Sequence, residues 1–128
     1  MFRCLNRTAL RLQCSWEESL PLAKAAGFEG SDVEIEPDGS ASQCADALAK
    51  HGLRPGGGKL PFNFRDDIAA TKEGLAQLEQ NARIANKVGC ARFYTFILPY
   101  SDTLSWKETF QFHVNRLGPI ASVLAKHD

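Results

Sequence analysis

Apolar and polar residues along this chain fall into four rounds of one pattern, a short apolar run followed by an amphipathic stretch. A two-residue period marks a strand with one buried face, and apolar residues three or four apart mark a helix. Phe2 to Asn6 is the first apolar run. Ser31 to Glu36 alternates strictly, with Val33 and Ile35 on one face and Asp32, Glu34 and Glu36 on the other. A third strand is expected near Leu53 to Leu60, and a fourth from Ala91 to Leu98, ended by Pro99. Between them the spacing predicts helices from Ser15 to Ala26 and from about Ser42 to His51, the latter with a stripe of Ala45, Leu48 and Ala49. The third helix, Asp67 to Val88, carries Leu75, Leu78, Ala82, Ala85 and Val88. In the fourth helix Phe110, Val114, Leu117, Ala121 and Leu124 supply the apolar stripe.

The boundaries carry chemical punctuation. Ser15 stands three residues before Glu18, and Ser105 three before Glu108, so each pair is spaced as a capping box. A-K-A-A-G (Ala23 to Gly27), A-K-H-G (Ala49 to Gly52) and A-N-K-V-G (Ala85 to Gly89) close the first three helices. Each glycine is placed to take the left-handed turn that ends a helix. A-K-H-D (Ala125 to Asp128) is the fourth copy, with Asp128 where the stop glycine would be. Pro21 is expected to bend the early turns of the first helix, and Gly118-Pro119 to kink or split the fourth. Pro37, Asp38 and Gly39 break the second strand. Gly56, Gly57 and Gly58 suggest close backbone approach or a bend. They are not a phosphate loop, since no G-x-x-x-x-G-K-S/T pattern is present and no helix follows them directly.

The order β-α-β-α-β-α-β-α demands a parallel sheet with right-handed crossovers. A closed eight-stranded barrel takes roughly 250 residues, and four units fill the 128 residues here. A doubly wound sheet is the rival, but it needs both strand faces apolar. Three carboxylates on one face of the second strand cannot lie under a helix layer without large cost, whereas they can line a barrel interior. The expected fold is therefore α/β: four βα units forming the N-terminal half of a (β/α)8 TIM barrel, a single domain that stops before strand five.

Hydrophobic residues make up 44% of the chain, enough for a packed core. Fifteen basic and fifteen acidic side chains cancel, which removes the bulk field that would hold a nucleic acid. Cys4, Cys14, Cys44 and Cys90 are widely spaced and form no zinc or thioredoxin-type motif, so buried free thiols are expected. The start lacks the apolar core of a signal peptide, and no stretch approaches the roughly 20 apolar residues of a membrane span. A cytoplasmic location without membrane contact is the expectation.

Three blocks carry a family resemblance: A-A-G-F-E-G-S-D-V-E-I at the second strand, H-G-L-R-P with L-P-F-N-F-R around the third, and F-Y-T-F-I-L-P-Y-S-D with F-H-V-N-R-L-G-P-I-A at the fourth. With them the chain resembles the sugar phosphate isomerase/epimerase family, the xylose-isomerase-like TIM barrels, over essentially its whole length. The resemblance implies metal-assisted proton transfer between adjacent carbons of a sugar, sugar phosphate or polyol-type substrate. It implies a divalent metal (Mn, Mg, Zn or Co) whose ligands sit on strands five to eight. No catalytic residue and no metal ligand is therefore assigned within this chain, which supplies pocket walls and is expected to be inactive alone. The family's second strand usually reads G-V-E-L, where this chain has Ser31 and Asp32.

Asp32, Glu34 and Glu36 are the strongest constellation, with Glu36 nearest the C-terminal mouth where barrel active sites lie. They read either as a polar wall for substrate hydroxyls or as members of an ion-pair network with Lys59 or neighbouring arginines. Asn6 can bond a substrate hydroxyl or cap its own turn. Lys59 and Arg65 flank the mouth of strand three and suit a phosphate or carboxylate clamp, or a solvated loop. Phe96 and Tyr100 with Pro99 close strand four and can wall the pocket or pack between helix and sheet. The substrate-binding set is thus Asn6, Glu34, Glu36, Lys59, Arg65 and Phe96. His51, His113 and His127 fall on helices, away from the active mouth, and none is assigned as a ligand. Two other readings compete. One is a non-catalytic half-barrel that self-associates through its open sheet edges or pairs with a second half. The other is an endonuclease IV-like phosphodiesterase, which the neutral charge and the helical histidines disfavour.

Overall fold

The three glycine-ended helices all stop in the same way. The computed structural model describes residues 1–35, 40–65, 67–98 and 100–127, and in it Gly27, Gly52 and Gly89 have φ of 78°, 60° and 79°. At each, the glycine N–H and the N–H after it turn back onto the last helical turn. Gly27 N bonds Lys24 O and Phe28 N bonds Ala23 O, Gly52 N bonds Ala49 O and Leu53 N bonds Leu48 O, and Gly89 N bonds Asn86 O and Cys90 N bonds Ala85 O. This is the Schellman arrangement, which satisfies carbonyls that a helix end otherwise leaves open. The expectations for Glu36, the Pro37 to Gly39 break, Pro99 and Asp128 lie outside the described residues.

The elements run β1 (Cys4–Leu5), α1 (Trp16–Ala25), β2 (Gly30–Val33), α2 (Ala41–Lys50), β3 (Arg54–Lys59), α3 (Ile68–Val88), β4 (Phe93–Tyr94) and α4 (Trp106–Leu124). All strand pairs are parallel, in the order β1-β2-β3-β4. Four parallel strands alternating with four helices is the α/β half-barrel arrangement that the pattern predicts. Both capping boxes form: Glu18 N donates to Ser15 Oγ at 3.2 Å, and Ser15 N to Glu18 Oε2 at 2.8 Å. Ser105 and Glu108 repeat the exchange.

Two sheet details differ from the pattern. The strands are short, with β2 ending at Val33 and β4 holding only Phe93 and Tyr94, so Glu34, Ile35 and Thr95 to Leu98 lie beyond the ladders. The second detail is a bulge. Ser31 pairs with Pro55 and Val33 with Gly58, so the single residue Asp32 faces both Gly56 and Gly57. Glycine is required at position 56 because a Cβ there would run into Cys4 Sγ and come within 2.6 Å of Asp32 Oδ1. The glycine run is thus a site of close backbone approach, as expected.

One sheet face carries Leu5 and Val33 into a core with Leu20, Ala23, Leu48, Leu53, Ala85, Val88 and Cys90. A second cluster joins Leu60, Phe64, Leu78 and Ile120 beneath α3 and α4. α3 buries Leu78, Ala82, Ala85 and Val88 as predicted, while Ala49 of the α2 stripe is exposed and Cys44 and Ala47 pack instead.

The α4 stripe holds only in part: Leu117 and Leu124 pack against the second cluster, but its N-terminal half does not. Its buried residues are Thr109, His113 and Ile120, while Phe110 and Val114 are 57% and 47% exposed. His113 lies against the Phe64 ring, 5.6 Å between centroids, so it sits on the packed face of α4. The periodicity located an apolar face but not the partner it meets. α4 also runs unsplit through Gly118 and Pro119. Among the described residues no helix is long and apolar enough to cross a membrane.

Candidate functional site

At the C-terminal ends of the parallel strands lies a cavity of about 380 Å³. Small-molecule sites commonly fall between about 300 and 1,000 Å³ and favour this end of a parallel barrel. Each strand brings one polar side chain toward it: Asn6 just past β1, Asp32 from β2, Lys59 from the end of β3 and Tyr94 from β4. Glu34 and Arg7 complete the polar wall.

Asp32 is held mainly by backbone. Its Oδ1 accepts the Gly57 N–H at 2.9 Å, a bond that exists because the bulge turns that amide inward. The Cys4 thiol donates to the same oxygen at 3.4 Å. Burial, then the neighbouring Asp32 charge, push the Cys4 thiol up to about 12, so it stays protonated and serves as a donor, not a nucleophile. Burial also raises Cys44 to about 11 and raises Cys90. All four cysteines are free. Only Cys90 is fully buried, and the other three are half-buried.

Glu34 meets an arginine, as the ion-pair reading anticipates, though the partner is Arg7 from the β1–α1 loop. Arg7 Nε donates to Glu34 Oε1 at 2.7 Å, and its NH1 donates to Cys14 O at 2.7 Å. One guanidinium therefore ties the loop down and fixes the carboxylate through a single oxygen. Both Arg7 contacts fall on Oε1, and Glu34 lines the cavity. Asn6 fulfils its capping role, since Ala9 N donates to its Oδ1 at 2.6 Å, and it also lines the cavity. The Tyr94 hydroxyl interacts with Asn6 and Asp32. Burial first, then the Asp32 charge, hold the phenol above its ordinary range.

Of the residues singled out in the sequence, the structure gathers Asn6, Asp32, Glu34 and Lys59 around one cavity. Arg65 and Phe96 line an adjoining cavity of about 300 Å³ that shares Lys59, and Phe96 is 70% exposed. Glu36 is outside the described residues. Sequence reading missed Arg7, Cys4, Tyr94 and the buried Asn81 of α3. Two-residue alternation places Tyr94 opposite Phe93, but nothing in F-Y-T-F says which of them faces the helices. The carboxylates do not fit a metal. Among the described residues no three His, Cys, Asp or Glu side chains converge, and Asp32 Oδ1 and Glu34 Oε1 are already taken by Gly57, Cys4 and Arg7.

No protein-family model and no curated protein matches the chain. Solved structures do. A xylose isomerase domain protein from Alicyclobacillus acidocaldarius superposes with a TM-score of 0.78 at 24% identity over 97% of this chain. The 3-keto-D-glucoside 4-epimerase of E. coli gives 0.65 at 18% over 98%, and a D-allulose 3-epimerase from Methylomonas sp. gives 0.60 at 17% over 87%. The matches cover 46%, 52% and 42% of those chains, so this chain spans about half their length. The likeness establishes the fold alone, four βα units of a TIM-barrel-type α/β structure.

Proposed function

We propose that this chain forms the substrate-binding wall of a sugar isomerase or epimerase-type barrel and contacts the hydroxyls of a sugar or polyol. The observation that carries the reading is the cavity at the strand C-termini, where Asp32, Glu34, Asn6, Lys59 and Tyr94 converge from four successive units. Carboxylate and amide groups placed by a rigid sheet recognise hydroxyls by direction, which is how a site separates sugars that differ at one carbon. The likeness to structures described as a xylose isomerase domain protein and sugar epimerases supports the same substrate class.

The chemistry assigned to these residues is binding and orientation. Glu34 Oε2 accepts a substrate hydroxyl while Arg7 fixes the carboxylate, and Lys59 donates at the rim. Proton transfer in such an enzyme needs a divalent metal such as Mn, Mg, Zn or Co, and the described residues offer no centre for one. The isolated chain is therefore expected to bind sugar weakly and to turn none over. Titrating the ¹⁵N-labelled chain with D-allulose and D-fructose should move the Glu34 and Tyr94 amide signals, and Glu34→Ala should abolish that response. A tight stoichiometric manganese site in calorimetry, or sugar-induced shifts confined to other faces, would overturn the reading.

A second reading, assembly of half-barrels, rests on the β4 flank. β1 and β4 are the two edges of the sheet, and Trp106, Phe110 and Val114 form an exposed stripe on α4. A two-fold related second copy would set β4 of each beside β1 of the other and close eight parallel strands. Light scattering on the eluting chain checks this: a dimer supports it, and a monomer at high concentration removes it.

A further inference from the structure

Asn81 is out of place on its helix. It lies in the middle of α3, on the face that otherwise buries Leu78, Ala82, Ala85 and Val88, and it is only 3% exposed. Asparagine is a poor helix-interior residue because its amide competes for backbone bonds. Here the amide makes no such bond with its oxygen: Oδ1 is buried and has no partner among the described residues. Leaving a buried acceptor unpaired costs about 1–3 kcal/mol, and a leucine at this position would avoid that cost.

The side chain lines the same cavity as Asp32 and Glu34. β2 ends at Val33, so past that residue no ladder bonds close the gap to β3, and the cavity extends over the strand ends to α3. Building on the sugar-pocket reading, we infer that the Asn81 carboxamide is a substrate-binding group that takes a hydroxyl of the ligand at the inner end of this cavity. A hydroxyl both donates and accepts, so it satisfies the carboxamide whichever way the amide is turned. A phosphate or carboxylate offers acceptors only, so it leaves Oδ1 unpaired in the orientation seen here and meets the like charge of Glu34 on the same cavity. The end of the ligand that passes between β2 and β3 is therefore a neutral hydroxylated carbon, and any anionic end points outward to Lys59. Two acceptors on separate elements, Glu34 and Asn81, then read two hydroxyls of one molecule.

The test uses the ¹⁵N-labelled 128-residue chain with D-allulose and D-fructose as probes, together with Asn81→Leu and Asn81→Asp. The Asn81 side-chain NH₂ signal should shift along with those of Glu34 and Tyr94. Asn81→Leu should melt at or above the parent temperature yet bind sugar at least tenfold more weakly, and Asn81→Asp should recover part of that loss. Should Asn81→Leu bind within twofold of the parent, a water is the amide's partner and the inference is wrong. An Asn81 signal that stays still while Glu34 and Tyr94 move sinks the inference and leaves the pocket standing. If none of the three responds, both readings fall. Where Asn81→Leu does not fold, the side-chain signal of the unaltered chain decides.

Discussion

Gly56 and Gly118 mark the contrast between the two ends of this sheet. At Gly56 there is no room for a methyl group, because β1, β2 and β3 are drawn together around Asp32. At Gly118 on α4 nothing lies within 4 Å of where a Cβ would stand. The first three units supply nearly all of the main cluster and most of the second, while the fourth buries Ile120 but leaves Phe96, Ile97, Trp106, Phe110 and Val114 exposed. Hydrophobic surface is normally exposed singly, and a contiguous patch marks a surface that meets something else. The contrast separates a packed interior, which fixes the polar wall of the cavity, from an exposed apolar flank, on which the proposed second interface rests.

Gly56→Val probes the finished side hardest. The branched side chain meets Cys4 and the Asp32 carboxylate, and its expected cost is about 3 kcal/mol or more, read as loss of the cooperative melting transition. An unchanged melt would mean that the bulge is plastic and the contrast is false. Next in size is the triple change Trp106→Glu, Phe110→Lys and Val114→Glu. Self-association measured by sedimentation should weaken by at least tenfold while the melting temperature barely moves; a large drop in stability would show that the stripe packs within the chain.

Alkali should attack the interior selectively. Cys4, Cys44, Cys90 and Tyr94 all have folded-state pKa values raised by burial, so the folded chain holds their protons more tightly than the unfolded one. For the thiols, stability is fully present below their unfolded pKa of 9.0, and it declines as pH rises from there toward the folded values of about 11 for Cys44 and about 12 for Cys4. Denaturant melts at pH 8 and pH 10.5 should show the fall, and a flat response would contradict the assigned burial. Smallest is Gly118→Ala, expected to add about 0.5–1 kcal/mol by removing unfolded-state freedom from an open helix position. Destabilisation there would reveal a contact on α4 that the contrast denies.

The same contrast explains what the sequence made legible. The glycine stops, the two Ser/Glu boxes and the alternation around Val33 are local rules, and each specified its element. The polar wall was half legible: alternation pointed Asp32 and Glu34 away from Val33, but the bulge that secures Asp32 depends on two strands in register and leaves no periodic trace. Asn81 gave no signal, since one asparagine among the apolar positions of α3 reads as noise until its burial is known. The α4 stripe was right at Leu117 and Leu124, which pack against the second cluster, and wrong at Phe110 and Val114 for a different reason. Trp106, Phe110 and Val114 satisfy helical spacing as well as any core face does, and spacing reports that a face is apolar without saying what covers it.

The repeated helix ending has a further consequence. α1 and α2 are 10 residues long and α3 is 21, yet each delivers the next segment through the same pair of main-chain bonds about a left-handed glycine. The entry of each following strand is set at the joint and is independent of the length of the rod before it. The chain is in that sense modular: a helix can gain or lose whole turns on the outside while the strand it feeds, and the polar side chain that strand presents, keep their place.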